Sequence, residues 1–450
     1  MHDLTKGSPI KVILLFTIPL VVGSIFQLLY NFADSMIVGH TLGEQSFAAV
    51  GATGSITFLI LGFAQGLTGG FSVILAQRFG AKDTVGIKRS YATGLVLSIG
   101  IGLVLTVLSL AFLRTFLTIM QTPEELIDQS HRFLKAIFGG MIATILYNYL
   151  SNSIRALGDS RTPLFALIVA VILNVILDFV FILNFKMGVF GAGVATILAQ
   201  LVSVLFLFWH IKRRVPQLQL SKNDWQLLTK KESKRHLQLG LPMGFQASII
   251  AIGAMTLQYA LNQLGTEAIA AQAIASRTDQ LAMSPMVNLG QAISTFTAQN
   301  YGAKAYRRIF EGVKKTVALS VAWSVFFAVI LLLGNRTFST LFLPEGSEGI
   351  YKMAFSYYLI NGLCYWILAI LFVLRGFIQG LGKSFAPTLA GVMELVMRAA
   401  VALIGLHYFG FAGVAAANPA AWIGSVMVLI PTTYIVVKQI KVAMAQDAER

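Results

Sequence analysis

The chain has 450 residues and a single cysteine, Cys364, so it has neither an intrachain disulfide framework nor a cysteine-based metal site. Charge is equally scarce. Asp, Glu, Lys and Arg make up 12% of the residues, against about 25% in an ordinary soluble domain, which excludes a soluble enzyme. The six histidines, His2, His40, His131, His210, His236 and His407, fall near loops or the ends of apolar stretches. An intramembrane protease or transferase needs paired His, metal ligands or a Ser with a base, and no such set assembles. No enzymatic activity and no cofactor are expected. The N-terminus also lacks the small-residue cleavage pattern of a secretory signal, so its first apolar stretch is expected to remain in the membrane.

What the chain does have is apolar length. Hydrophobic residues make up 56% of it, in runs longer than the roughly 20 residues that cross a bilayer. They predict twelve spans near 12–38, 46–77, 90–113, 133–156, 163–185, 188–211, 237–262, 269–299, 313–334, 350–374, 387–408 and 411–437. The fold class is therefore an all-α integral membrane protein. A soluble chain with a net charge of +15 would suggest a nucleic-acid partner; here the basic residues gather in alternate loops, as the positive-inside rule requires. Arg78, Lys82, Lys88, Arg89, Lys304, Arg307, Arg308, Lys314 and Lys315 lie on one side, and the opposite loops are nearly bare. The expectation is a multi-pass protein of the cytoplasmic membrane with both termini cytoplasmic, anionic lipid headgroups at its surface and no nucleic acid.

The two halves repeat each other. Ala76-Gln77-Arg78-Phe79-Gly80-Ala81-Lys82 is matched by Ala298-Gln299-Asn300-Tyr301-Gly302-Ala303-Lys304. In the same order Pro19 pairs with Pro242, Leu42-Gly43 with Leu264-Gly265, Gly158-Asp159-Ser160 with Gly382-Lys383-Ser384, and Gly193-Val194-Ala195 with Gly413-Val414-Ala415. This divides the chain into a six-helix bundle over 1–211, a basic linker over 212–236 and a second bundle over 237–450. Each half has an even number of spans, so the two enter the membrane in the same direction. The layout expected is two parallel-repeat bundles around a central cleft, as in transporters.

A charged group in the hydrocarbon costs at least ~2.5 to 3.5 kcal/mol and so points to function. Helix 1 places Gln27, Asn31 and Asp34 on one face, and helix 5 does the same with Asn174 and Asp178. With Thr196 of helix 6 at similar depth, the first bundle gathers carboxylates, amides and a hydroxyl. Such oxygen ligands suit a hard cation such as Na⁺, and two neighbouring carboxyls equally suit a proton. Asn148 and Asn152 on helix 4 are candidates to face the same chamber, and Pro19 is a hinge below the helix-1 stripe. In the second bundle Glu394 and Arg398 stand at i and i+4, a spacing for an ion pair, while Arg277 and Asp279 are two residues apart on diverging faces.

These features together resemble the multidrug and toxic compound extrusion (MATE) family. The motifs that carry the resemblance are Pro19 with Gln27 and Asp34, Gly70 through Gly80, Arg155 through Ser160, Leu173 through Asp178, Gly191 through Thr196, and Arg375 through Gly382. The resemblance implies a cation-coupled antiporter that exports bulky amphipathic, often cationic, drugs as H⁺ or Na⁺ enters, acting here as a monomer. It also implies that the coupling site falls on Asp34, Asn174, Asp178 and Thr196, with Na⁺ as the metal if the ion is a metal, and that Pro19 bends helix 1. Another branch of the family carries a Glu on helix 7 where this chain has Ile250, which argues against a Na⁺ site of that type in the second bundle. Two alternatives stay open: a flippase for lipid-linked oligosaccharide, for which only Arg277, Arg398 and Lys135 offer cationic lining, and an exporter of an endogenous metabolite.

Overall fold

The computed structural model describes residues 3–340 and 348–448. Sixteen α-helices follow one another along them. They are α1 (Pro9–Leu42), α2 (Glu44–Ala52), α3 (Gly54–Gly80), α4 (Thr84–Ala111), α5 (Leu113–Ile119), α6 (Glu124–Gly139), α7 (Met141–Ala156), α8 (Arg161–Phe179) and α9 (Gly188–Arg214), then α10 (Lys230–Asn262), α11 (Thr266–Gly302), α12 (Tyr306–Thr340), α13 (Glu348–Gly362), α14 (Tyr365–Gly380), α15 (Phe385–Ala415) and α16 (Ala417–Ala448).

Length and hydropathy mark nine of these helices as membrane spans, and the pairs α6–α7 and α13–α14 each make one more span, bent by 48° at the break. The remaining long helix, α11, has 37 residues but interrupts its apolar sequence with Gln272, Arg277 and Asp279. Counting it gives the twelve spans expected. The predicted spans stop short where helices continue past the hydrocarbon. α4, for example, starts at Thr84 rather than near 90, because Asp83 caps it by accepting from the Gly86 N–H at 2.8 Å.

The duplication is visible in the backbone. Gly43 and Gly265 have φ of 91° and 93°, Lys82 and Lys304 both have 56°, and Gly158 and Gly382 have 88° and 79°. A lysine with positive φ is uncommon, so its recurrence at paired positions marks a shared turn. Gly188, which opens α9, has its counterpart in Gly410, whose φ of 57° breaks α15. The twelfth span thus effectively begins at Phe411. The 48° bends fall in the fourth span of each half, so the repeat extends to helix shape.

The chain packs into two compact units, and the passage from one to the other lies inside helices. Ile18–Gly244 forms the first; Leu4–Thr17 joins the chain from Phe245 on in the second. The sequence suggested a division in the loop 212–236, whereas the contacts divide α1 just before Pro19 and α10 just after Pro242. Glycine explains the second point. A Cβ on Gly66 would meet the Met243 carbonyl oxygen at 2.3 Å, and one on Gly70 would meet the Gly240 Cα at 2.6 Å. Two Gly-x-x-x-Gly stretches therefore bring α3 and the first half of α10 into backbone contact. Arg78 adds an ion pair to Glu232 at 2.7 Å, and His236 meets the Ser90 hydroxyl at 2.8 Å, all four residues buried. The linker is tied to the same unit: Lys88 reaches Asp224 at 3.2 Å, while Asp224 caps its own turn by accepting from the Ser221 N–H and hydroxyl at 2.7 and 2.8 Å.

In the second unit the start of the chain is fixed by polar contacts. The Leu4 N–H donates to Gln299 at 3.1 Å, and Arg308 donates to the carbonyls of Gly7 and Leu4 at 2.6 and 3.2 Å. Each unit thus includes the first half of a helix whose second half belongs to the other.

Candidate functional site

The site is assembled from α1, α8 and α9 of the first unit. On α1, Tyr30 and Asp34 stand one turn apart; on α8, so do Asn174 and Asp178, both buried. The Asp34 and Asp178 carboxyl groups lie close enough to be hydrogen-bond partners. Such a contact needs a proton on one of the two. The Oδ1 atom of each is buried with no hydrogen-bond partner, and an unsatisfied buried acceptor costs on the order of 1 to 3 kcal/mol. The pair therefore has unused capacity for a cation.

The remaining members order it. With its amide set by the hydrogen-bond network, Asn174 donates to Asp178 Oδ2 at 3.0 Å and accepts from the Thr196 backbone N–H at 3.1 Å. The Thr196 hydroxyl accepts from the Tyr30 hydroxyl at 3.1 Å and donates to the Ala192 carbonyl at 3.1 Å. A cavity of about 40 Å³ lies beside them, lined by Gln27, Tyr30, Tyr147, Asn174, Thr196 and Gln200 among others. One water requires about 10 to 15 Å³ on this measure, so the cavity has room for water beside Tyr30, Asn174 and Thr196. Directly after Asp178 the helix widens into a π turn over Val180–Asn184, a local irregularity that often accompanies function.

The structure thus brings together Asp34, Asn174, Asp178 and Thr196. Sequence reasoning missed Tyr30, although its i, i+4 spacing to Asp34 was the available signal. The other candidates are placed differently. Gln27 and Asn31 are exposed and hydrogen-bond each other at 3.4 Å, and only Gln27 lines the cavity. Asn148 is half-buried on α7. Asn152 is spent elsewhere, donating to Thr68 on α3 at 3.2 Å and accepting from Arg155 at 3.3 Å, because its turn of α7 faces α3. Pro19 lies in α1 at the point where the helix passes between units.

In the second unit the Glu394–Arg398 pair is made, at 3.1 Å, and a third member joins it. Arg375 of α14 contacts the other Glu394 oxygen at 2.8 Å and donates to Ser425 at 3.1 Å. All three charged residues are buried. Asp279 is also buried, but Arg277 lies on an exposed face of α11. Among the described residues no group of three or more His, Cys, Asp or Glu forms a metal set.

Twelve spans, a duplicated bundle and a carboxyl pair inside the hydrocarbon define a polytopic helical membrane protein of the transporter class. The MatE family profile matches residues 19–180 and again 242–404, starting at the two prolines that the repeat pairs, and the chain belongs to that family. Similar proteins include two from Bacillus subtilis (strain 168). One is named probable multidrug resistance protein YpnP, 32% identical over 68% of each chain; the other is probable multidrug resistance protein YoeA, 26% identical over 94% of this chain and 93% of that one. Among solved structures, a MATE crystal structure in the bent conformation superposes with a TM-score of 0.90 over 98% of both chains at 23% identity.

Proposed function

We propose that the protein is a multidrug exporter coupled to inward movement of a cation, and that the cation is H⁺ carried by the Asp34–Asp178 pair. The observation that supports this is the direct approach of two carboxyls, Asp178 buried and Asp34 half-buried, each with a buried, orphaned oxygen. Two carboxylates in contact within a low dielectric do not both ionise, so they hold one proton between them. Loading and unloading that proton changes the local charge by one unit. A cationic, amphipathic substrate is disfavoured by the loaded state and favoured by the empty one, which is the negative coupling that antiport requires. The names of the relatives, multidrug resistance proteins, support the substrate class.

Asn174, Thr196 and Tyr30 keep the pair oriented, and Pro19 gives α1 a site to bend as the charge changes. Na⁺ would use the same oxygens. Export runs outward across the cytoplasmic membrane with both termini inside, a reading that the distribution of Lys and Arg supports. The test uses proteoliposomes loaded with a fluorescent cationic dye, with pH and Na⁺ gradients imposed separately on wild type and Asp34→Asn. Dye movement driven by the pH gradient and absent in the variant is the expected result. Movement driven by Na⁺ alone reassigns the ion, and normal transport by Asp34→Asn removes the pair from the mechanism.

A further inference from the structure

The first half of α10 has two faces of different character. One carries Glu232, His236 and Gly240 and packs on α3 and α4. The other runs through Lys230, Ser233, Lys234, Leu237 and Leu241 to Pro242, at helical spacing, and lines an open groove of about 760 Å³. That volume is ordinary for a small-molecule site, where about 300 to 1,000 Å³ is usual. The groove is graded along its length. Its upper turn offers two ammonium groups with a hydroxyl between them; below Lys234, apart from Gln238, the lining is leucine and proline.

Lys230 and Lys234 are both exposed, and neither forms an ion pair, unlike Lys88, which Asp224 engages. Among the described residues no Asp or Glu lines the groove. The start of the helix is already capped, since the Thr229 hydroxyl accepts from the Glu232 N–H at 3.2 Å. The positive charge of the groove therefore comes from the lysines and not from open backbone N–H groups. Depth follows from the flanking sequence. Trp225, exposed on the turn that precedes α10, is a residue type that collects at the membrane–water interface. From Lys230 to Pro242 the helix then advances about 18 Å at ~1.5 Å per residue into apolar sequence. The lysine end lies at headgroup depth and the leucine end among acyl chains.

We propose that this groove binds an anionic phospholipid, with the phosphate held by Lys230, Lys234 and the Ser233 hydroxyl and one acyl chain laid along Leu237, Leu241 and Pro242. Such a lipid matches both ends at once. A soluble anion uses only the lysine end and leaves the leucines in water. A neutral lipid leaves two ammonium groups uncompensated, and a cationic amphipathic compound of the kind proposed as cargo meets two like charges at the mouth. Basic side chains at a membrane surface attract anionic lipid in general; the groove makes the attraction local, because it seats a chain directly beneath the phosphate.

The experiment is native mass spectrometry of the full-length protein released from detergent, titrated with phosphatidylglycerol or with phosphatidylcholine of the same acyl chains. The expected result is one phosphatidylglycerol retained at a lipid excess where phosphatidylcholine is lost. In Lys230→Gln/Lys234→Gln the affinity for that first lipid falls about 30-fold, since each basic residue near an anionic headgroup contributes a factor of roughly five. Lys222→Gln/Lys231→Gln removes the same charge from exposed positions outside the groove and leaves the affinity unchanged. Leu241→Gln weakens binding with both lysines in place. Equal losses in the two lysine pairs, or equal retention of phosphatidylcholine by wild type, overturn the proposal in favour of diffuse surface attraction. Glycerol phosphate bound as tightly as the lipid, or unchanged binding in Leu241→Gln, overturns the acyl-chain contact and with it the assignment to a lipid. All four lysines are exposed, so the paired variants keep the wild-type thermal midpoint. No transport is measured, so the outcome is separate from the coupling role given to Asp34 and Asp178.

Discussion

Gly70 and Gly240 approach until backbone meets backbone: a Cβ on Gly70 would come within 2.6 Å of the Gly240 Cα. Neither α3 nor α10 has a flexible side chain there that can yield. Gly70→Ala is expected to destabilise the protein by about 1 to 3 kcal/mol through overpacking, seen as a lower thermal midpoint in detergent. Gly69→Ala is the control. Its Cβ would meet only the end of Met243 at 3.8 Å, and the midpoint should hold or rise slightly because alanine is the better helix former.

Glu394 compensates two buried arginines. Glu394→Ala leaves Arg375 and Arg398 with no counter-charge, and removing one partner of a buried ion pair typically costs about 3 to 5 kcal/mol. A severe loss of monodisperse protein on size-exclusion chromatography is expected. Replacing the triad by Arg375→Met, Glu394→Leu and Arg398→Met together should recover most of that stability, since the desolvation cost is removed with the charges. If the triple variant folds but no longer exports dye, the triad has a role beyond packing.

The linker should respond to acid. The Ser221 backbone N–H and hydroxyl, followed by Lys88, hold the Asp224 carboxyl below its ordinary value. A depressed acid stabilises the fold at pH above its unfolded value, and that stabilisation disappears as pH falls through the folded value. The capped turn and the tie to Lys88 are therefore intact at neutral pH and released below the ordinary Asp range. The protection factors over residues 216–228, with the intrinsic pH dependence of amide exchange divided out, should fall at acid pH in wild type, and should already be lower at pH 7 in Asp224→Asn.

Tyr30→Phe separates orientation from charge. It removes a single hydroxyl and costs about 0.5 to 1.5 kcal/mol, while both acids remain. Coupled dye export should continue at a reduced rate, in contrast to the complete loss expected in Asp34→Asn. A Tyr30→Phe rate equal to wild type in the proteoliposome assay would show that the contact with Thr196 does not order the site.

Much of this was readable in advance because hydrophobic length and the positions of Gly, Pro and Asp are local signals. The repeat pairs found in the sequence reappear as paired backbone angles at Gly43 and Gly265 and at Lys82 and Lys304. The cluster of Asp34, Asn174, Asp178 and Thr196 was legible because few polar residues lie in apolar helices, and helical spacing puts them on shared faces. What was not legible depended on contacts distant in sequence. Tyr30 is one of 13 tyrosines, and its hydroxyl is distinguished only by meeting Thr196. Arg375 reads as the start of a glycine motif near a helix end until α15 brings Glu394 to it. Asp279 sits beside Arg277 in sequence, yet two tyrosines from other helices surround it. The division of α1 and α10 between units could not be read from hydropathy, which treats each span as a single object.

That division has a consequence for biosynthesis. Translation proceeds from the N-terminus, yet Leu4–Thr17 belongs to the unit built from the last half of the chain, and its partners Gln299, Asn300 and Arg308 emerge nearly 300 residues later. Leu4–Thr17 must wait for contacts that the ribosome has not yet delivered. Gene halves divided in the loop before Lys230 and co-expressed would exchange the opening stretches of α1 and α10, so each half needs the other present to complete its own packing.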